Sequence, residues 1–208
     1  MKTRLVLMDV EATSMSPMSG EMTEFGAVDL ETGRWFRGIL WDADPNPANP
    51  AISVLKKANP HSFAGFGAHD LDAGLKRSYS TKKEVFLAHN KWLKEVLGDS
   101  RPVFVSDNPG YDFQWVNCGY DVEGLPNPYG YSSRRIGDIF AGLTLKFTNT
   151  SRWKGMRETP HTHESHADSM GNREALLKIQ QMVEEIRDNY PDHDELIRDI
   201  SQTLRKKK

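Results

Sequence analysis

The sequence predicts an α/β fold: a mixed β-sheet, an antiparallel meander extended by parallel strands, with helices packed on both faces. Three observations lead there. A short, almost uninterrupted apolar run opens the chain at residues 4–10, as a strand buried on both faces does. Two further strand-like runs, about 22–30 and 35–41, flank Glu31-Thr32-Gly33-Arg34, a connection suited to a hairpin. Beyond residue 80, segments of helical periodicity alternate with a second buried run at 102–106.

The elements follow in order. Arg4-Leu-Val-Leu-Met-Asp-Val10 is read as the central strand, and the two hairpin runs as its antiparallel partners. Prolines at 45, 47 and 50 exclude a regular element through 42–50, with a short helix expected near 52–58. Val85, Phe86, Ala88, Leu93, Val96 and Leu97 recur at helical spacing, so a helix is expected over 81–97, stopped by Gly98. After strand 102–106, Gly and Pro mark a sharp exit from the sheet, and Phe113, Val116 and Gly119 suggest a helix whose inward stripe starts at Asp112. Helices are expected from Ser133 to about Leu143, with Ile136, Ile139, Phe140 and Leu143 on one face, and from about His166 to Asp188. The stripe of the last is Ala175, Leu176, Ile179, Met182, Val183 and Ile186. Residues 192–208 read as an amphipathic tail ending in Arg205-Lys-Lys-Lys208.

At 208 residues the chain is most simply one domain, assigned to 1–190, with 191–208 as the tail. Its 38% hydrophobic and 27% charged residues fit a globular protein and exclude a disordered one. The N-terminus shows neither a signal peptide nor a membrane span, so the expected compartment is the cytoplasm, with no membrane partner. The single cysteine, Cys118, excludes an intramolecular disulfide and a multi-cysteine zinc site.

Chemistry concentrates in three places. Asp9 and Glu11 end the first strand, and alternation points both carboxylates to the side of Leu5 and Leu7, roughly 6–7 Å apart at Cα. Alone, this pattern more often marks two hydrated acids at a strand end. Asp112 follows Ser106-Asp107-Asn108-Pro109-Gly110-Tyr111 and is aimed back at the sheet, although Asp112 or Asp107 also suits a helix cap. Asp168 falls within about 20° of Ala175 and Ile179 on the core-facing stripe of the last helix. A carboxylate buried there needs a cation, a partner or a raised pKa, unless that helix end protrudes and the acid merely complements the dipole.

Taken together, Asp9-Val10-Glu11, Asn108-Pro109-Gly110-Tyr111-Asp112 and His163 with Asp168 resemble the three motifs of the DEDDh (DnaQ-like) 3′–5′ exonucleases, which have a ribonuclease H-like fold. That family includes the proofreading subunit of bacterial replicative polymerase, RNase T and oligoribonuclease. The resemblance spans roughly residues 4–187. The runs 103–112 and Arg134-Arg135-Ile136-Gly137-Asp138 look most like a phage and bacterial branch related to the mycobacterial exoribonuclease that trims poly(A). Departures are Ala12-Thr13-Ser14-Met15, where members often carry a Thr-Thr-Gly-like turn, and Ala167 and Ser169 beside the last Asp.

The resemblance implies two divalent cations, Mg²⁺ or Mn²⁺, one among Asp9, Glu11 and Asp168 and the other between Asp9 and Asp112, with His163 as the base that activates water. It implies release of nucleoside 5′-monophosphates from single-stranded nucleic acid with a free 3′ end, RNA slightly ahead of DNA, and is compatible with a homodimer. Candidate substrate contacts are Ala12, Thr13, Asn108, Tyr111, Arg134 and Arg135, with Trp35, Trp41, Trp115, Tyr129, Tyr131 and Trp153 as further candidates for base stacking. Two other readings compete. One is a scaffold of this kind that binds nucleic acid without cutting. The other is a zinc hydrolase, because His161-Thr-His163-Glu-Ser-His166 nearly spells the H-x-H-x-D-H motif of the metallo-β-lactamase fold. Ser165 stands where that motif needs Asp, and only His193 lies downstream to complete a binuclear site.

Overall fold

A computed structural model of the protein describes residues 2–40, 67–70 and 75–189. Its strands are β1 (Thr3–Ala12), β2 (Met22–Asp29), β3 (Trp35–Ile39), β4 (Gly67–Asp70), β5 (Leu75–Ser78), β6 (Arg101–Ser106) and β7 (Ser133–Arg135). The helices are α1 (Lys82–Leu97), α2 (Pro109–Val122), α3 (Ile136–Thr144) and α4 (Ser165–Asn189), with a 3₁₀ turn at Arg152–Met156. The strands form one sheet in the order β5-β4-β3-β2-β1-β6-β7. β1 to β5 pair antiparallel, whereas β6 joins β1, and β7 joins β6, in parallel. This is the expected mixed sheet.

β1 is central, and its alternation separates two cores. Val6, Met8 and Val10 pack with Phe25, Phe104 and the inner faces of α1 and α2. Leu7 packs oppositely, with Val28, Val105, Ile136 and Phe140 of α3, Trp153, and Ala175, Leu176 and Ile179 of α4. Each such side chain contributes on the order of 2 kcal/mol by leaving water, and this fixes the register. A slip of one residue would turn Asp9 and Glu11 into the α1/α2 core. The acids therefore emerge on the α4 side because apolar neighbours hold the strand in phase.

Local signals account for most boundaries. Thr81 and Glu84 form a reciprocal capping box at the start of α1, and Gly98 ends it at a φ of 59° that favours glycine. The β2–β3 hairpin closes on Asp29, which accepts from the Thr32 N–H and hydroxyl at 2.8 and 2.6 Å and pairs with Arg4.

Some expectations need correction. Residues 133–135 are a short strand, so α3 begins at Ile136; Ile139 is exposed, and Gly137 and Ala141 take inward places. The stripe of α4 is buried only through Ile179. Val183 is exposed and Met182 and Ile186 are half-buried, because the helix outruns the sheet. Strands β4 and β5 and the 3₁₀ turn were not anticipated. The helix near 52–58, Trp41, His193 and the tail lie outside the described residues. Among the described residues no helix is long and apolar enough to cross a membrane.

Candidate active site

The end of β1 delivers the first two acids. Asp9 is half-buried and Glu11 nearly fully so, on the face shared with Leu7. Their partners across β2 are Gly26 and Glu24. A Cβ at Gly26 would lie 2.3 Å from the backbone carbonyl of Ser165, so glycine is what lets the N-terminus of α4 rest directly on β2. That contact carries Asp168, 2% exposed, to the strand end. One carboxylate oxygen from each of Asp9, Glu11 and Asp168 lies within 4.8 Å of the others.

Asp112 arrives from the other core. The chain leaves β6 at Ser106, turns through Asn108 and Pro109, and starts α2 with Asn108 at the cap position. Asp112 is 4% exposed and close enough to be the strongest charged neighbour of Asp9. Neither Asp112 nor Asp107 caps the helix: Asp107 instead pairs with Lys154 at 2.5 Å and Arg157 at 3.6 Å.

The loop before α4 grips Asp168. Its Oδ1 accepts the Thr162 N–H at 2.9 Å, and its Oδ2 accepts the His163 N–H at 3.0 Å and contacts Nδ1 of His161 at 2.5 Å. His163 has a φ of 57°, uncommon for a residue with a Cβ, and its Nδ1 lies 3.3 Å from Glu11 Oε1. Both rings are about half exposed.

Burial, then crowding, sets the electrostatics. Asp9 is pushed well above the carboxylate range, first by burial, then by Asp112, Glu11 and Asp168, with Arg157 opposing. Glu11 is pushed up to about 8 by burial, then by Glu24, Asp168 and Asp112. Asp112 rises to about 7 through burial, although the Ser106 hydroxyl and backbone groups of Asn108 and Val10 pull it down. The phenol of Tyr111, raised by burial and then by Glu11, Asp112 and Asp9, borders the same pocket. Hard oxygen donors this close together suit a divalent cation.

Three supporting residues escaped the sequence reading. Glu24, 2% exposed, accepts the Ser165 N–H at 2.8 Å through Oε1 and the Arg37 guanidinium at 2.8 Å through Oε2, joining the strand beside Glu11 to the helix bearing Asp168. Arg157 bonds Asn172 of α4 and lies over Trp153, 4.8 Å from its ring centre. Apolar alternation on β2 gave no hint that Glu24 and Arg37 meet.

The remaining candidates divide. Tyr111 is at the pocket. Ala12 and Thr13 are buried at the base of the β1–β2 connection, where the Thr13 hydroxyl accepts the Glu21 N–H at 2.9 Å. Asn108 is exposed at the start of α2. Arg135 bonds the Asp107 carbonyl at 3.2 Å, and Arg134 is exposed on the neighbouring strand position. Trp115, Tyr129 and Trp153 are core residues, whereas Tyr131 is 95% exposed. His166 packs against Trp35 in a tilted arrangement with centroids 4.5 Å apart and joins neither metal-capable cluster among the described residues. The three-histidine zinc arrangement is therefore not assembled.

Fold and site together describe an α/β domain with a carboxylate pocket at the end of its central strand. No protein-family model and no curated protein matches the chain. Solved structures share its fold at low identity. The nuclease domain of 3'hExo, a DEDDh family member, bound to rAMP, aligns with a TM-score of 0.59 at 15% identity over 86% of this chain and 92% of that one. The zinc-bound form of the E. coli ExoI–ssDNA complex aligns with a TM-score of 0.57 at 13% identity, over 95% of this chain and 43% of that one.

Proposed function

We propose that the protein is a metal-dependent 3′–5′ exonuclease of the DEDDh type, acting on single-stranded nucleic acid, RNA ahead of DNA, and releasing nucleoside 5′-monophosphates. The observation that carries this reading is the convergence of Asp9, Glu11 and Asp168 within 4.8 Å, with Asp112 beside them and His163 against Glu11. Shared fold with a DEDDh nuclease domain holding rAMP and with an exonuclease holding ssDNA supports the same ligand class.

Asp9, Glu11 and Asp168 would hold one divalent cation, and Asp9 with Asp112 the other. When bound, such ions neutralise the acids and polarise the phosphodiester. The chain's own contribution is orientation and proton transfer. Two backbone N–H groups fix Asp168, leaving lone pairs of its oxygens for a ligand. The half-exposed His163 ring would accept a proton from attacking water, and its contact with Glu11 would orient it. Tyr111 would position the terminal nucleotide, with Ala12, Thr13 and Asn108 around it and Arg134 and Arg135 toward the phosphates.

The test is incubation with 3′-labelled single-stranded RNA, DNA and duplexes in Mg²⁺, Mn²⁺ or EDTA, comparing wild type with Asp9→Ala. Stepwise mononucleotide release that EDTA and the substitution abolish is expected. Hydrolysis untouched by EDTA overturns the reading.

A further inference from the structure

We propose that His161, His163 and Asp168 form a binding site for a borderline transition-metal ion, zinc(II) foremost, built on two half-exposed imidazoles beside the carboxylate pocket. His161 has no part in the exonuclease reading, yet one donor atom from each of these three residues lies within 4.8 Å of the others. Two imidazoles and a carboxylate are a nitrogen-rich set, suited to zinc and poorly suited to Mg²⁺. The four-carboxylate pocket has the opposite preference, so two metal chemistries share Asp168.

The site is partly built. Asp168 is held by the Thr162 and His163 N–H groups, and the loop places the two rings with centroids 4.5 Å apart. Zinc at about 2.0–2.1 Å from each donor requires donors about 3.3 Å apart. His163 Nδ1 lies 3.3 Å from Glu11 Oε1 of the carboxylate pocket, so the two sites adjoin. The His161–Asp168 contact of 2.5 Å needs only to open by a fraction of an ångström to admit the ion. Both rings are about half exposed, so an ion reaches them without unfolding the loop. The third histidine of the sequence motif, His166, is committed to Trp35.

Binding is independent of what reaction the carboxylates support. Its consequence, that zinc opposes Mg²⁺-dependent hydrolysis by occupying His163 and Asp168, rests on the exonuclease reading. The experiment is zinc titration of metal-stripped full-length protein against a chromogenic chelator in excess Mg²⁺, with X-ray absorption at the zinc edge. One equivalent of zinc with two imidazole nitrogens is expected. His161→Ala should weaken binding more than about 100-fold, beyond the roughly 10–100-fold that loss of an outer-shell partner costs, and His166→Ala should leave it unchanged. An all-oxygen shell, absence of zinc binding in Mg²⁺, or unchanged affinity in His161→Ala overturns the proposal. Should His161→Ala not fold, the wild-type absorption spectrum alone decides between these results. Zinc binding in a protein without nuclease activity would sink the exonuclease reading and spare this one.

Discussion

Asp9→Asn should stabilise the metal-free protein, and increasingly so as the pH rises. Asp9 is raised well above its usual range by burial and by Asp112, Glu11 and Asp168. Such a group keeps its proton in the folded chain at pH values where the unfolded chain has released it. Stability is therefore lost as pH climbs from the ordinary carboxylate range toward the folded pKa. Each pH unit over which the folded chain keeps that proton costs at most about 1.4 kcal/mol. Relaxation and residual hydration should halve this, to about 0.7 kcal/mol per unit, and asparagine removes it. For a chain of this size that is a Tm gain growing by about 1–3 °C per pH unit. The assay is thermal denaturation in EDTA across that pH range, followed by Mg²⁺. Mg²⁺ should raise the Tm of wild type and leave Asp9→Asn nearly unchanged. A stability difference that does not grow with pH would refute the electrostatic reasoning.

Other expectations test the supports of the pocket. Gly26→Ala places a Cβ 2.3 Å from the Ser165 backbone, so urea denaturation should show a loss of about 1–3 kcal/mol, and displacement of α4 should abolish activity. Glu24→Gln removes a charge that pairs with the buried Arg37 and should cost up to about 3–5 kcal/mol, partly recovered in the double variant with Arg37→Met, read from the same denaturation curves. His163→Ala should lower kcat about 10²–10⁴-fold, the range for a lost general base, while Mn²⁺ binding followed by electron paramagnetic resonance changes little.

What the sequence made legible follows from physical signal strength. β1 was readable because burial on both faces demands an apolar run, and α1 because its stripe, capping Thr81 and terminal Gly98 agree. β4 and β5, Gly-Ala-His-Asp and Leu-Lys-Arg-Ser, are short strands at the sheet's edge whose sequences lack a hydrophobic alternation. Ser133-Arg-Arg135 is too short to carry any period and was absorbed into the helix after it. Within the site, Asp9, Glu11, Asp112 and Asp168 stood out because each is an acid at the edge of an apolar element. Glu24, Arg37 and Arg157 did not, because their partners lie 13 or more positions away and are defined only by strand register and helix docking. The His161/His163/His166 pattern was visible as a motif, but whether the third ring joined depended on Trp35, which no spacing rule could locate.

Anomalous diffraction from crystals soaked in Mn²⁺ probes the pocket most directly. Two peaks are expected, one touching Asp9, Glu11 and Asp168 and a second between Asp9 and Asp112. Crystals in which manganese avoids these carboxylates, or in which Asp112 touches no ion, would contradict the two-cation account.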